Sequence, residues 1–265
     1  MLGMDRDPHS LKAALDAGVI DAATDFAGAA RCDVCLLAIP VRQYAEVLSQ
    51  LAPHLAATTL ITDVGSTKQD VIEVARDALA NDIGRFVPGH PIAGREKAGA
   101  SAAVTDLFAG KNVVLTPLPE NVAAAIETVS ALWRDCGANV MMMPAATHDT
   151  IFAAVSHLPH LLAFALVDEL AARPNAKALF SFAASGFRDF TRIASSSPEM
   201  WRDIALNNRG PLVREFDLYM AHAKQLRDAV AAGDGEAIDA LMHRARDARD
   251  RWLAGDLEQF RDESA

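Results

Sequence analysis

Residues 34–39 read Val-Cys-Leu-Leu-Ala-Ile and residues 59–63 read Thr-Leu-Ile-Thr-Asp, two short apolar runs of strand length. Helical patterns follow each run, over 41–51 and 67–79. Working outward, we predict further strands at 85–87, 112–116 and 139–143, with a helix over 121–136. Continuous apolar strands that alternate with helices are typical of a parallel, doubly wound α/β sheet covered on both faces.

The pattern changes after Pro144, where helical segments follow one another without a convincing strand. We predict helices over 145–170, interrupted at Pro159, and over 200–231 and 235–260. The predicted domains are therefore 1–144 (α/β) and 145–265 (all-α). The stretch 152–167 is so apolar that it must be buried on nearly every side, either inside its own domain or against a partner subunit. Of the two we favour a homodimer formed through this half.

Composition excludes several classes of function. A net charge of −10 over 265 residues, spread over both halves, argues against a nucleic-acid partner. We expect no membrane association, because no apolar run is judged long enough to cross a bilayer, and without a signal-peptide pattern the expected location is cytoplasmic. Cys32 and Cys35 have the C-x-x-C spacing of redox or metal sites, but one lies in a predicted strand, which favours structural thiols. No metal site is predicted.

The chain opens as the end of a second strand does, with Leu2-Gly3-Met4-Asp5, and a helix is predicted from Ser10 to a stop at Gly18. In dinucleotide-binding domains an acidic residue at this point binds the ribose, after a first strand and a G-x-G-x-x-G loop. The sequence contains no such loop. We therefore expect an incomplete Rossmann-type sheet, with the missing strand and loop encoded within about 30 codons upstream. The alternative is another α/β domain, in which Asp5 is a surface residue.

Residues 89–96 read Gly-His-Pro-Ile-Ala-Gly-Arg-Glu and carry the strongest chemical signal. Pro91 biases His90 toward an extended or turn conformation, and the flanking glycines permit close backbone approaches. A histidine held in this way at the end of a strand is a candidate working residue. The alternative is a turn with a solvated histidine.

Three further motifs are candidates for the same site. Ser66 follows a strand end, where ligands of doubly wound sheets bind, and it is also a good helix N-cap. His157 and His160 lie three apart; they could be metal ligands, core histidines or neutral donors facing a cleft. Arg192 lies in a locally basic, apolar stretch, which suits either an anionic substrate or a structural salt bridge.

Taken together, the motifs 63–66, 89–94, 156–160 and 186–194 with Trp201 resemble the prephenate dehydrogenase family in its simple form, over essentially the whole chain. The resemblance implies a Rossmann domain followed by a helical dimerisation domain. It also implies a homodimer that uses NAD, in which prephenate is decarboxylated oxidatively on the way to tyrosine.

The resemblance also implies residue roles. His90 would accept the hydroxyl proton of the substrate, with Ser66 beside it and the nicotinamide. The implied substrate-binding residues are Arg192, for a carboxylate, together with His157, His160, Glu96 and Trp201. The implied cofactor-binding residues are Asp5, Arg6, Pro40 and Ser66; Asp5 favours NAD, and Arg6 is compatible with some use of NADP.

Arg95 departs from the family pattern, in which a small or polar residue is common, and this bears on whether prephenate or arogenate is preferred. Three hypotheses remain open at this point. The first is an active dehydrogenase whose phosphate loop lies upstream. The second is a truncated, non-catalytic homologue that dimerises or binds aromatic acids, and the third is a different nicotinamide-dependent hydroxyacid dehydrogenase.

Overall fold

The computed structural model describes residues 1–94 and 99–258. Arg95 and Glu96, both singled out above, lie outside the described residues. The chain divides into two compact units, Met1–Leu212 and Val213–Ala265. All the described candidate site residues belong to the first unit. The domain boundary near residue 144 stays a prediction.

Short strands form three small sheets in the described part of the chain. Two of these sheets are wholly parallel, and the third pairs β7 in parallel with β8. The expected parallel α/β sheet is thus confirmed, with one exception, because β6 runs antiparallel to β7. The strands are β1 (Leu2–Gly3), β2 (Ala22–Ala23), β3 (Val34–Leu37), β4 (Leu60–Asp63), β5 (Phe86–Val87), β6 (Gly89–Pro91), β7 (Asn112–Leu115) and β8 (Asn139–Met142).

Helices alternate with these strands and then follow one another after residue 144, as predicted. The helices are α1 (Pro8–Asp16), α2 (Phe26–Ala29), α3 (Tyr44–Leu51), α4 (Gln69–Leu79), α5 (Ala123–Asp135), α6 (Ala145–Phe152), α7 (Leu158–Ala171), α8 (Ala176–Ser181), α9 (Ser185–Thr191), α10 (Pro198–Asn207), α11 (Arg209–Ala232) and α12 (Gly235–Ala254). The helical pattern predicted over 200–231 is present as two helices, because α10 ends at Asn207 and α11 begins at Arg209. The sequence reading also missed the short helices α8 and α9.

Local chemistry explains where the helices begin, end and pack. Helix α1 begins at Pro8, and the carboxylate of Asp7 accepts from the amides of His9 and Ser10. It stops before Gly18, whose φ of +67° favours glycine. On α4, Val71, Ala75 and Leu79 recur at four-residue spacing, so one face is buried against the β3–β4 sheet and α3.

Helices α6 and α7 are joined by a π-helical segment, Ala153–His157. Pro159, in the first turn of α7, has no amide hydrogen and its ring crowds the carbonyl four residues earlier, so the regular helix cannot run through unchanged. The widened turn therefore falls just before the proline. Such turns are frequent at functional sites.

By length and composition, Ala145–Ala171 is apolar enough to cross a membrane. The expectation that no run reaches this length was therefore wrong. The finding is weak as a membrane signal, because the core helix of a soluble protein passes the same test. Only 28% of the apolar window is buried inside the chain, so the helix is not covered on nearly every side by its own unit.

Candidate active site

A buried ion pair connects the end of β4 to β6, the strand that carries His90. Lys68 Nζ lies 2.5 Å from Asp63 Oδ2, and both side chains are 0% exposed. The ammonium also donates to the carbonyl of Gly89 (2.7 Å), while Asp63 Oδ1 accepts from the amide of Gly89 (2.8 Å). The other carboxylate oxygen accepts from Gly65 N and Tyr44 Oη, each at 2.9 Å. This pair therefore holds the backbone of Gly89 from both sides.

The turn after β4 carries Ser66 and leads into α4. Ser66 is half-buried and does not cap the helix, since α4 begins at Gln69 and its first amides bind another group. The carboxylate of Asp149, on α6, accepts from Lys68 N and Gln69 N, both at 2.9 Å. The N-cap interpretation of Ser66 is thus wrong, because a distant carboxylate supplies the acceptor. The hydroxyl of Ser66 is not used for capping.

His90 lies in β6 in an extended conformation, opposite Val114 of β7, rather than in a solvated turn. Its Nδ1 is 2.8 Å from Nε2 of His148, a fully buried residue of α6. The other nitrogen of His148, Nδ1, is 2.8 Å from Asp149 Oδ1. Phe152 packs edge-on against His90, with ring centroids 5.0 Å apart. The histidine is therefore held by a continuous hydrogen-bonded chain.

The surroundings keep His90 neutral. Burial lowers the pKa of His90 well below its usual value, and the nearby charge of Lys68 and the rings of His148 and His157 lower it further. A neutral imidazole has one nitrogen with a free lone pair. In chemical terms, His90 can accept a proton from a bound hydroxyl.

His157 is buried at the end of the π-helical segment. Asn208 Nδ2 donates to the backbone carbonyl of Asp149 (2.7 Å) and lies 3.0 Å from His157 Nδ1. That nitrogen must therefore accept, which places the proton of His157 on Nε2. Burial is the main reason that the pKa of His157 falls to about 4. The residue is a neutral donor.

In His160 the donor and acceptor nitrogens are reversed relative to His157. Its Nδ1 is 2.8 Å from the carbonyl of Ser156 and donates to it, so the free Nε2 of the neutral ring is an acceptor. Only His157 is thus a neutral donor of the kind predicted for this pair. Trp201 of α10 is buried and stacks on His160, with centroids 3.7 Å apart. Burial lowers the pKa of His160, and the charge of Arg192 lowers it further.

The residues assigned to the cofactor follow the first strands of the chain. Asp5 and Arg6 are exposed just after β1, and exposed Pro40 follows β3. Ser66 follows β4, so all these residues occupy the carboxyl ends of parallel strands, where ligands of such sheets bind. In the described part of the chain, no hydrogen bond or ion pair joins Asp5, Arg6 or Pro40 to the histidine cluster. Their roles stay predictions.

The cysteines show no sign of redox or metal chemistry in the described structure. Cys32 and Cys35 are half-buried free thiols, and Cys35 donates to the carbonyl of Ala29. Burial, aided by Cys32, raises the pKa of Cys35 to about 11, so its thiol stays protonated. Over residues 1–94 and 99–258, no group of three or more His, Cys, Asp or Glu side chains could hold a metal.

The sequence patterns did not single out four polar residues of this site, namely Lys68, His148, Asp149 and Asn208. A signal existed for one pair: His148-Asp149 are adjacent titratable residues in the predicted helix 145–170. Such residues must find partners when they are buried.

A parallel α/β sheet of the nucleotide-binding type, with a neutral histidine that can accept a proton, is typical of the nucleotide-dependent dehydrogenases. Family models agree: residues 1–142 match the nucleotide-binding domain of prephenate dehydrogenase, and residues 144–244 match its dimerization domain. The chain belongs to the prephenate dehydrogenase family, whose members are oxidoreductases.

Named relatives and solved structures support this membership. The prephenate dehydrogenase of Bacillus subtilis is 37% identical over 94% of this chain and 68% of its own length. The cyclohexadienyl dehydrogenase of Zymomonas mobilis is 36% identical over 82% of this chain and 74% of its own. The crystal structure of prephenate dehydrogenase from A. aeolicus, in complex with hydroxyphenyl propionate and NAD+, is 35% identical, with a TM-score of 0.88 over 94% of this chain and 88% of that one.

Proposed function

We propose that this protein catalyses the oxidative decarboxylation of prephenate to 4-hydroxyphenylpyruvate, with hydride transfer to NAD, in tyrosine biosynthesis. The observation that carries the proposal is His90, a neutral imidazole anchored through one nitrogen at the edge of the sheet. Membership of the family supports the same reaction. Hydride loss from a carbinol carbon requires that the hydroxyl proton leave, and this is the task of a positioned base.

The other residues of the site have roles that suit the substrate. Neutral His157 would offer its buried N–H to a substrate oxygen. Arg192, beside His160, would bind a substrate carboxylate, and Trp201 would support the ring of His160 by stacking. Ser66 would stand next to the reacting hydroxyl. Glu96 keeps its proposed place near the substrate by resemblance alone.

The residues present fit the two ends of NAD. Asp5 is an exposed carboxylate at the end of β1, which suits the hydroxyls of the ribose, and Arg6 beside it is compatible with some use of NADP. Pro40 and Ser66, after β3 and β4, would line the path to the nicotinamide. When bound, NAD supplies the hydride acceptor. The A. aeolicus relative was solved with NAD+.

Arogenate is the second candidate substrate. Among the similar proteins are a cyclohexadienyl dehydrogenase, at 36% identity, and the arogenate dehydrogenase structure of Synechocystis, with 26% identity and a TM-score of 0.79. Arogenate carries an amino acid in place of the keto acid of prephenate. Side-by-side kcat/KM measurements on the two substrates decide between them.

We further propose a cytoplasmic homodimer with domains 1–144 and 145–265. The match of residues 144–244 to a dimerization domain supports the dimer, and the two matched ranges support the division. A second copy would also cover the apolar helix Ala145–Ala171, of which little is buried within one chain.

The test of the proposed function is turnover by the full-length protein. Wild type should form NADH with prephenate, and His90→Asn should lower kcat by roughly 10²–10⁴-fold with little change in NAD affinity by calorimetry. His54→Gln, at an exposed histidine outside the site, is the matched control. Binding of aromatic acids without turnover would instead favour the non-catalytic homologue, and activity on simple hydroxy acids alone would favour the third hypothesis.

A further inference from the structure

The hydrogen bonds around His90 determine which of its nitrogens carries a proton. Asp149 accepts from three donors: His148 Nδ1 at 2.8 Å, and Lys68 N and Gln69 N at 2.9 Å. Burial acts to raise the pKa of Asp149, but the hydrogen bonds from His148 and from these two amides hold it below its usual value. The carboxylate is therefore ionised and can only accept.

Because Asp149 only accepts, His148 must place its proton on Nδ1. Burial lowers the pKa of His148, so the ring is neutral and its Nε2 is an acceptor. That acceptor lies 2.8 Å from His90 Nδ1, which must then donate. His90 is left with its lone pair on Nε2, and that atom has no hydrogen-bond partner among the described residues.

We propose that His148, anchored by Asp149, is a positioning residue that fixes the tautomer of His90 so that Nε2 faces the substrate as the proton acceptor. The inference rests on the proposed function and deepens it. The substrate hydroxyl would give its proton to His90 Nε2 while its carbon gives up a hydride, for which NAD would be the acceptor, and a carbonyl forms. Loss of carbon dioxide then returns an electron pair to the ring, and the resulting phenolate oxygen takes the proton back from His90. While His90 holds the proton, its positive charge is balanced by Asp149 through the ring of His148.

The charged groups around His90 and His148 explain why His90 needs a hydrogen-bonded link to a carboxylate. Lys68 of the β4–α4 turn disfavours a charge on His90, and so do His148 of α6 and His157 of the π-helical segment. Asp149 of α6 and Asp63 of β4 act in the opposite sense on His148. A base in this setting needs an anion linked to it once it accepts a proton. Asp149 is the carboxylate that the hydrogen bonds join to it.

The same carboxylate connects the base to the Ser66 turn. Because Asp149 also binds the first amides of α4, the start of that helix and the orientation of His148 are set by one side chain. Asp149 therefore helps to fix the positions of both Ser66 and His90, although these two residues lie on different elements. Similar second partners fix the tautomers of catalytic histidines in other enzymes.

The first test reads the tautomer without substrate. In ¹⁵N-histidine-labelled full-length protein, long-range ¹H–¹⁵N spectra should show His90 and His148 neutral, each with the proton on Nδ1. A proton on Nε2 of His90 would overturn the inference. This readout needs no turnover, so it is separate from the proposed function, which fails instead if wild type does not oxidise prephenate.

The second test removes the acceptor and then restores it. His148→Leu should release the His90 tautomer and lower kcat by roughly 10²–10⁴-fold with little change in KM. His148→Gln offers a carbonyl to His90 Nδ1, so it should restore the Nδ1–H form and raise kcat at least about tenfold above the Leu variant. His54→Gln is the control. Unchanged tautomer and kcat in His148→Leu would contradict the proposal, as would an equal loss in the Gln variant.

Discussion

His157 shows at the scale of one residue how burial and function are linked. It is 1% exposed, and its pKa of about 4 lies below the usual 6.5 of histidine. The folded state therefore binds a proton less readily than the unfolded state does. Its neutral, buried N–H is useful for binding a substrate oxygen, and it makes the fold sensitive to acid.

The pH dependence follows from the sign of this shift. Because the pKa of His157 is lowered in the folded state, its contribution to stability is fully present above pH 6.5 and is lost as the pH falls toward 4. Integrated over this pH range, the shift of His157 amounts to about 3 kcal/mol of unfolding free energy. We expect His157→Gln to flatten the rise of unfolding free energy between pH 4 and 6.5, measured by urea denaturation. The exposed-site variant His54→Gln should keep the wild-type slope; an equally steep slope in His157→Gln would contradict the assignment.

Single residues also show what could be predicted. His90, Ser66 and the His157/His160 pair were found because glycine, proline and strand ends mark them in the sequence. The tautomers were not predictable, since they depend on partners such as Asn208, which is 51 positions from His157. The N-cap of α4 was assigned wrongly for the same reason: local spacing favoured Ser66, but the acceptor comes from Asp149, 81 positions from Lys68.

At the scale of elements, the buried pair of Asp63 and Lys68 joins the end of β4 to β6. The carboxylate of Asp63 accepts from the amide of Gly89 in β6, and the ammonium of Lys68 donates both to Asp63 and to the carbonyl of Gly89. Gly65 is required here, because a Cβ would lie 2.8 Å from Asp63 Oδ2 and 3.0 Å from Tyr44 Oη. The element that carries the base is thus held by its neighbour.

Breaking this pair should be costly. Lys68→Met leaves a carboxylate buried without its counter-ion, and we expect unfolding free energy to fall by about 3–5 kcal/mol. Lys12→Met removes an exposed partner of Asp16, 72% exposed against 0% for Lys68, and should change little. Denaturant titrations compare the two. Equal effects would show that the buried pair does not hold these strands.

At the scale of the whole molecule, the apolar helix Ala145–Ala171 keeps much of its surface exposed in a single chain. Its exposed side chains include Val155, at 67%. The proposed homodimer would remove such surface from water, which is the main favourable term in association.

A matched pair of variants tests the dimer. Val155→Asp places a charge on the apolar helix and should shift the protein toward monomer in sedimentation velocity runs. Val122→Asp changes an equally exposed valine (65%) at the start of α5, in the nucleotide-binding part, and should leave the assembly unchanged. If the Val155→Asp protein sediments as wild type does, the interface lies elsewhere. If wild type itself is a monomer, the proposed homodimer is wrong.

The sequence by itself determined the class of fold and the candidate base. Strand length, helical spacing and the Gly-His-Pro segment are local properties, and local properties can be read from neighbours in the chain. The tertiary structure alone decided that β6 runs antiparallel, that Asp149 caps α4, and that His148 stands between this carboxylate and His90. Buried polar groups must be satisfied by whatever the fold brings near them, and those partners come from distant parts of the chain.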